Sequence, residues 1–291
     1  MEARATVLKV WTRCGQAVAG ILAGNPEEGN MADGDDNDAG DDAGDDAVRG
    51  DDIGAVIRPW HRTTAPTAPT SATGSAPASD RPVGHALVMP GIGYTVDRPL
   101  LYWAARALSW RGWQVDRLWL DLPATVDFPR TIARMNAMVD SWLGSLDDSA
   151  ASGGGGNDRR VPRMAVTKSL STLTYPHLAE SGMAAVLLTP VLNPPPCDPA
   201  RSVIETPVRR GASASPMPLI CAGDADPYFD AGRARMLTDR VTVCSGANHS
   251  VEVVGDYSAS IRHLADVTSA IVRYADDVAG CRVDDEEREC R

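Results

Sequence analysis

From residue 83 to residue 278 the chain alternates short apolar runs with longer amphipathic stretches. "VGHALVM" (83–89), "WQVDRLWL" (113–120), "RMAVT" (163–167), "AAVLL" (184–188), "MPLICAG" (217–223) and "VTVCSG" (241–246) predict strands. Helical periodicity runs through 97–112, 127–146, about 170–181 and 256–278 between and after them. Gly112 offers a stop for the first helix. Strands that are apolar along their length and alternate with helices predict an α/β fold. Its sheet is mostly parallel, with helices on both faces. Right-handed crossovers then bring the loops after every strand to one edge.

The first 80 residues lack this pattern. Residues 33–52 pack ten aspartates into twenty positions, and "RTTAPTAPTSATGSAPASD" (62–80) is a Pro/Ala/Thr/Ser linker. The sequence therefore predicts a disordered acidic tail and linker over 1–80, an ordered domain over 81–280 with order beginning near Pro82, and a charged tail over 281–291. The aspartates do not spell a calcium loop, because Asp38 stands where the turn glycine is required. Residues 1–54 hold 13 acidic and four basic residues, whereas the rest of the chain is near neutral at −2. The net charge of −11 thus belongs mainly to the tail, and no basic surface points to nucleic acid. No apolar run approaches a membrane span. The opening residues make a poor signal peptide, Met31 offers an alternative start, and the reading is cytoplasmic. Cys14, Cys197, Cys221, Cys244, Cys281 and Cys290 show no metal or redox spacing; Cys221 and Cys244 read as buried free thiols.

Three strand-end loops carry chemistry. The loop after 163–167 offers Ser169, "GDADPYFD" offers Asp224, Asp226 and Asp230, and "GANHS" offers His249. A serine hydroxyl is a weak nucleophile until an imidazole takes its proton, and a buried carboxylate holds that imidazole in the right tautomer. The order Ser, Asp, His along the chain is that of α/β-hydrolases.

"VMPGIGYTVDRPLLYWAARALSWRGW", "VTKSLST", "LICAGDADPYFD" and "GANHSVEV" resemble compact α/β-hydrolases, above all small bacterial members near the dienelactone-hydrolase-like group. The resemblance covers about 83 to 278. It implies Ser169 as nucleophile, Asp226 (in G-x-x-D) as acid, His249 as base, and the backbone N–H groups of Ile92 and Leu170 as oxyanion hole. Thr167 and Ser171 stand where the G-x-S-x-G elbow has glycines, and Pro90 where many relatives place a histidine. The implied function is hydrolysis of an ester, thioester or related acyl bond of a small-molecule substrate, with no cofactor, metal or membrane partner. An acyltransferase using the same parts, or a non-catalytic scaffold, are the alternatives. The segment 189–216 is too short for an elaborate lid and suggests an open site. Lys168 reads as a solvated strand-end charge, with attraction of an acidic substrate group as its other reading. Asp230 reads as support for a turn or helix, and His61, His85, His177 and His263 as structural or solvated.

Overall fold

Each apolar run lies in a strand of one seven-stranded sheet. The computed structural model describes residues 53–60, 82–122, 126–152, 161–193 and 216–280. The strands are β1 (Gly54–Pro59), β2 (His85–Met89), β3 (Gln114–Asp121), β4 (Arg163–Lys168), β5 (Ala184–Leu188), β6 (Leu219–Gly223) and β7 (Val241–Cys244). The helices are α1 (Pro99–Trp110), α2 (Phe128–Ser152), α3 (Tyr175–Glu180), α4 (Ala231–Leu237) and α5 (Tyr257–Ala279), with a 3-10 turn over Ser169–Thr174.

The sheet runs β1-β3-β2-β4-β5-β6-β7. All neighbours are parallel except β1, which pairs antiparallel with β3. Side chains of a strand alternate between faces, and both faces here are apolar. Ala86, Val88, Val166 and Val186 face one way, into a cluster with α1 and α5. Leu87, Met89, Ala165 and Leu187 face the other way, against α2, α3 and α4. This is the expected α/β class with helices on both faces. The chain leaves β2 toward β3 and then crosses back to β4, so strand order reverses between β2 and β4. In open parallel sheets ligands bind beyond the strand ends at such a switch point.

Three expectations are corrected, and one helix is added to them. Order does not begin near Pro82: residues 54–59, assigned to the disordered 1–80 segment, form β1, with Gly54 opposite Asp121 and Pro59 opposite Asp116. Its Ala55 and Ile57 pack on the α2 side, and Trp60 on the other face carries Arg117 at 4.3 Å from its ring centre. Burial of those side chains outweighs the polar composition around them. Helix α2 runs on to Ser152 rather than ending near 146; no Gly or Pro interrupts 145–152, and Asp147 pairs with Arg163. The segment after β4 opens as a 3-10 turn and becomes α-helical only at Tyr175, where Pro176 can enter the first turn. Helix α4 was not anticipated. Asp230 caps it, accepting from Arg233 N–H at 2.8 Å, which is the supporting role expected of that residue. The acidic tract, the linker over 62–80, most of the 189–216 segment and residues 281–291 lie outside the described residues. No described helix is long and apolar enough to cross a membrane.

Candidate active site

Strand β4 is buried along its centre and ends at Lys168, with Ser169 opening the 3-10 turn that follows. Ser169 adopts a left-handed backbone, with φ at 52°. A non-glycine residue held there costs on the order of 1–3 kcal/mol, so the surroundings must enforce it. Ser171 supplies part of that enforcement. Its hydroxyl oxygen accepts from Lys168 N–H at 2.9 Å and stands 3.1 Å from both the Met89 and Lys168 carbonyls. This hydroxyl ties the turn to β2, where a glycine could make no such bond. Thr167, on the other side of the elbow, is fully buried and donates its hydroxyl to the Val186 carbonyl at 2.9 Å. Both departures from the glycine pattern are thus satisfied within the sheet. The other non-glycine residues with positive φ, Thr189 and Val251 among the described residues, follow β5 and precede α5, on loops of the same edge.

The loops after β6 and β7 are joined through backbone. A Cβ on Gly223 would fall 1.9 Å from the Ala247 carbonyl oxygen, so only glycine fits. Ala225 N–H donates to that oxygen at 3.1 Å, and Asp224 N–H to the Cys244 carbonyl at 3.1 Å. Asn248 folds the second loop, its side-chain oxygen accepting from Ser250 and Glu252 N–H. His249 is thereby presented to both neighbours. Its Nδ1 lies 2.8 Å from Asp226 Oδ2, and its Nε2 lies 2.8 Å from Ser169 Oγ.

Asp226 is buried, and its second oxygen accepts from Tyr228 N–H at 2.9 Å. The Tyr228 ring meets the imidazole edge-on at 5.2 Å. Asp224 points elsewhere, accepting from Gly246 N–H at 2.5 Å. The two-residue step thus separates the aspartates: one reaches the histidine, the other braces its loop. Burial lowers the pKa of His249 below its usual 6.5; the hydrogen bond it donates to Asp226 opposes this and the charge of Lys168 adds to it. A neutral imidazole at pH 7 can accept a proton.

Ile92 lies in the turn Gly91–Tyr94, directly after β2, and Leu170 follows Ser169. Gly91 is close-packed on the serine: a Cβ there would meet Ser169 Cβ at 3.0 Å and the Lys168 carbonyl at 3.1 Å. The turn that carries Ile92 is thus packed against the elbow that carries Ser169 and Leu170. Lys168 is not the solvated charge expected of it. It is 1% exposed, with Nζ 4.5 Å from the centre of the Tyr94 ring. Tyr94 and Tyr228 lie inside the quoted stretches but had no role assigned to them, and only the scarcity of lysine marked Lys168. His177 pairs with Asp140 at 2.8 Å and His263 with the Ser245 carbonyl at 3.0 Å, both away from the serine. Cys221 and Cys244 are buried free thiols. Among the described residues no His, Cys, Asp or Glu cluster is suited to a metal ion.

No family model and no curated protein matches the chain. Solved structures similar to it include an alpha-beta serine hydrolase homologue from Coxiella burnetii, at 13% identity over 76% of this chain and 90% of that one, with a TM-score of 0.46. A siderophore hydrolase, EstB, from Aspergillus fumigatus aligns at 10% identity over 70% of this chain and 93% of that one, with a TM-score of 0.49. An a/b serine hydrolase without lid from Xanthomonas campestris aligns at 13% identity over 77% and 88%, with a TM-score of 0.42.

Proposed function

We propose that the protein is a serine hydrolase of the α/β-hydrolase type, cleaving an ester, thioester or related acyl bond of a small molecule. The observation that carries this reading is the chain Asp226–His249–Ser169, closed by two contacts of 2.8 Å between residues from three separate strand-end loops. A serine serving only as a helix cap would need neither the strained backbone nor a buried imidazole–carboxylate pair behind it.

In this mechanism Ser169 Oγ attacks the acyl carbon and its proton passes to His249 Nε2. Asp226 holds Nδ1–H and stabilises the imidazolium. The carbonyl oxygen gains the negative charge, facing the N–H groups of Ile92 and Leu170. The acyl carbon–leaving group bond then breaks, and the leaving oxygen or sulfur takes the proton from His249. Water, deprotonated by His249, attacks the acyl-serine; the acid departs and Ser169 is restored. We place this activity in the cytoplasm, where thiols such as Cys221 and Cys244 stay reduced.

A fluorophosphonate probe tests the reading, because it reacts with an activated serine and leaves a mass adduct on it. We expect the adduct on Ser169 in the intact protein, none in Ser169→Ala, and much slower labelling in His249→Ala. An unlabelled wild-type protein would support a non-catalytic scaffold and overturn the proposal.

A further inference from the structure

Lys168 takes no part in the steps above, yet it precedes the nucleophile and is almost wholly buried. Lysine is rarely buried so completely, because the desolvated ammonium is costly. Its path explains the placement. A Cβ on Gly91 would meet Lys168 Cδ at 3.6 Å, and Nζ ends on the face of Tyr94. The side chain therefore runs beneath the turn Gly91–Tyr94. That turn is closed by backbone hydrogen bonds between Gly91 and Tyr94 in both directions, and Tyr94 OH accepts from Leu100 N–H at 3.1 Å in the first turn of α1. Charged groups on two more loops feel the ammonium: Asp226 favours it, and it disfavours protonation of His249. Tyr94 in turn is faced by Glu252 and Arg98.

We propose that Lys168 is a positioning residue: seated on the Tyr94 ring, its ammonium fixes the Gly91–Tyr94 turn so that Ile92 N–H faces the reacting carbonyl, and it lends positive charge beneath the developing oxyanion. Preorganised charge at that position acts on the transition state more than on the bound substrate. This inference rests on the serine-hydrolase reading. It adds a residue that the Ser-Asp-His chemistry itself does not call for.

Lys168→Met keeps the length of the side chain and removes its charge; Tyr94→Leu keeps the charge and removes its seat. At about pH 6, where the folded lysine is protonated, we expect fluorophosphonate inactivation and kcat on a p-nitrophenyl ester to fall on the order of 10²-fold in Lys168→Met, with KM within about threefold. The acid limb of its kcat/KM profile should move to higher pH, since His249 loses a repelling charge. Tyr94→Leu should lose less, and the double variant no more than Lys168→Met alone. Circular dichroism checks the fold of each variant; if Lys168→Met does not fold, Tyr94→Leu carries the test through its loss of kcat at unchanged KM. A Lys168→Met protein that is labelled at the wild-type rate with an unmoved acid limb overturns this proposal alone. An unlabelled wild type overturns the serine-hydrolase reading and this proposal with it.

Discussion

Lys168→Met should make the protein more stable, and the gain should depend on pH in a defined sense. Burial pulls the lysine pKa from 10.5 down to about 7, with the Asp226 charge opposing the shift. At about 1.4 kcal/mol per pKa unit, that displacement corresponds to roughly 4–5 kcal/mol of instability below about pH 7, where both states are protonated. Between about pH 7 and 10.5 the unfolded state holds the proton and the folded state releases it, so wild-type stability rises with pH across this window. Below pH 7 both states are protonated and the full cost persists; above 10.5 it vanishes. The contact with the Tyr94 ring offsets part of the cost, by about 1–2 kcal/mol when desolvated. The net gain in Lys168→Met is then roughly 2–4 kcal/mol at pH 7 and falls toward zero near pH 10.

Urea unfolding of both proteins at pH 7, 8, 9 and 10 measures the difference directly. His249 titrates below this window, and the buried thiols Cys221 and Cys244 contribute equally to both proteins. A variant less stable than wild type at pH 7, or a gain that does not shrink with pH, would refute the reasoning.

Asp226→Asn should cost on the order of 10²–10⁴ in kcat, as the corresponding change does in serine proteases. Tyr228 N–H fixes the amide oxygen, which turns the amide NH₂ toward His249 Nδ1 and selects the tautomer that cannot accept from Ser169. Asp224→Asn keeps the acceptor for Gly246 N–H and should cost less than about tenfold, well short of losing a triad acid; steady-state kinetics that rank the two the other way would move the acid to Asp224. Thr167→Gly removes a satisfied buried hydroxyl from a central strand and should lower stability by about 1–3 kcal/mol, measured by urea unfolding, without restoring anything the elbow lacks. Deleting residues 1–52 should leave Tm within about 2 °C. Extending the deletion through Trp60 removes the apolar contacts of β1 and should lower Tm by roughly 5–10 °C by calorimetry.

Strands β2, β4, β5 and β6 were legible because each centres on an uninterrupted apolar run, as burial on both faces requires; β3 and β7 carry polar residues but keep apolar positions enough to read as strands. The serine, aspartate and histidine were legible because each follows such a strand. Strand β1 was not: "GAVIRP" is short, lies between an acidic tract and a Pro/Thr linker, and gains its order from non-local pairing with β3. Helix α4 is only seven residues, too brief for periodicity to rise above the surrounding loop. The choice between Asp224 and Asp226 rested on a family register; in the fold it follows from which carboxylate Gly246 N–H engages. The burial of Lys168 depends on Tyr94, on the loop after another strand, and no local pattern encodes that contact.

The antiparallel sense of β1 gives the core two differently oriented exits. Gly54 pairs with Asp121 at the end of β3, so the chain enters the sheet on the edge that carries Ser169. At the other end of the core, Asp276 bonds to Arg111 just before β3 and Asp277 to Arg240 just before β7, which sets the close of α5 on the opposite edge. Anything fused ahead of residue 53 is therefore delivered to the strand-end edge that carries Ser169. A carrier, surface anchor or reporter joined after Gly280 leaves from the opposite edge.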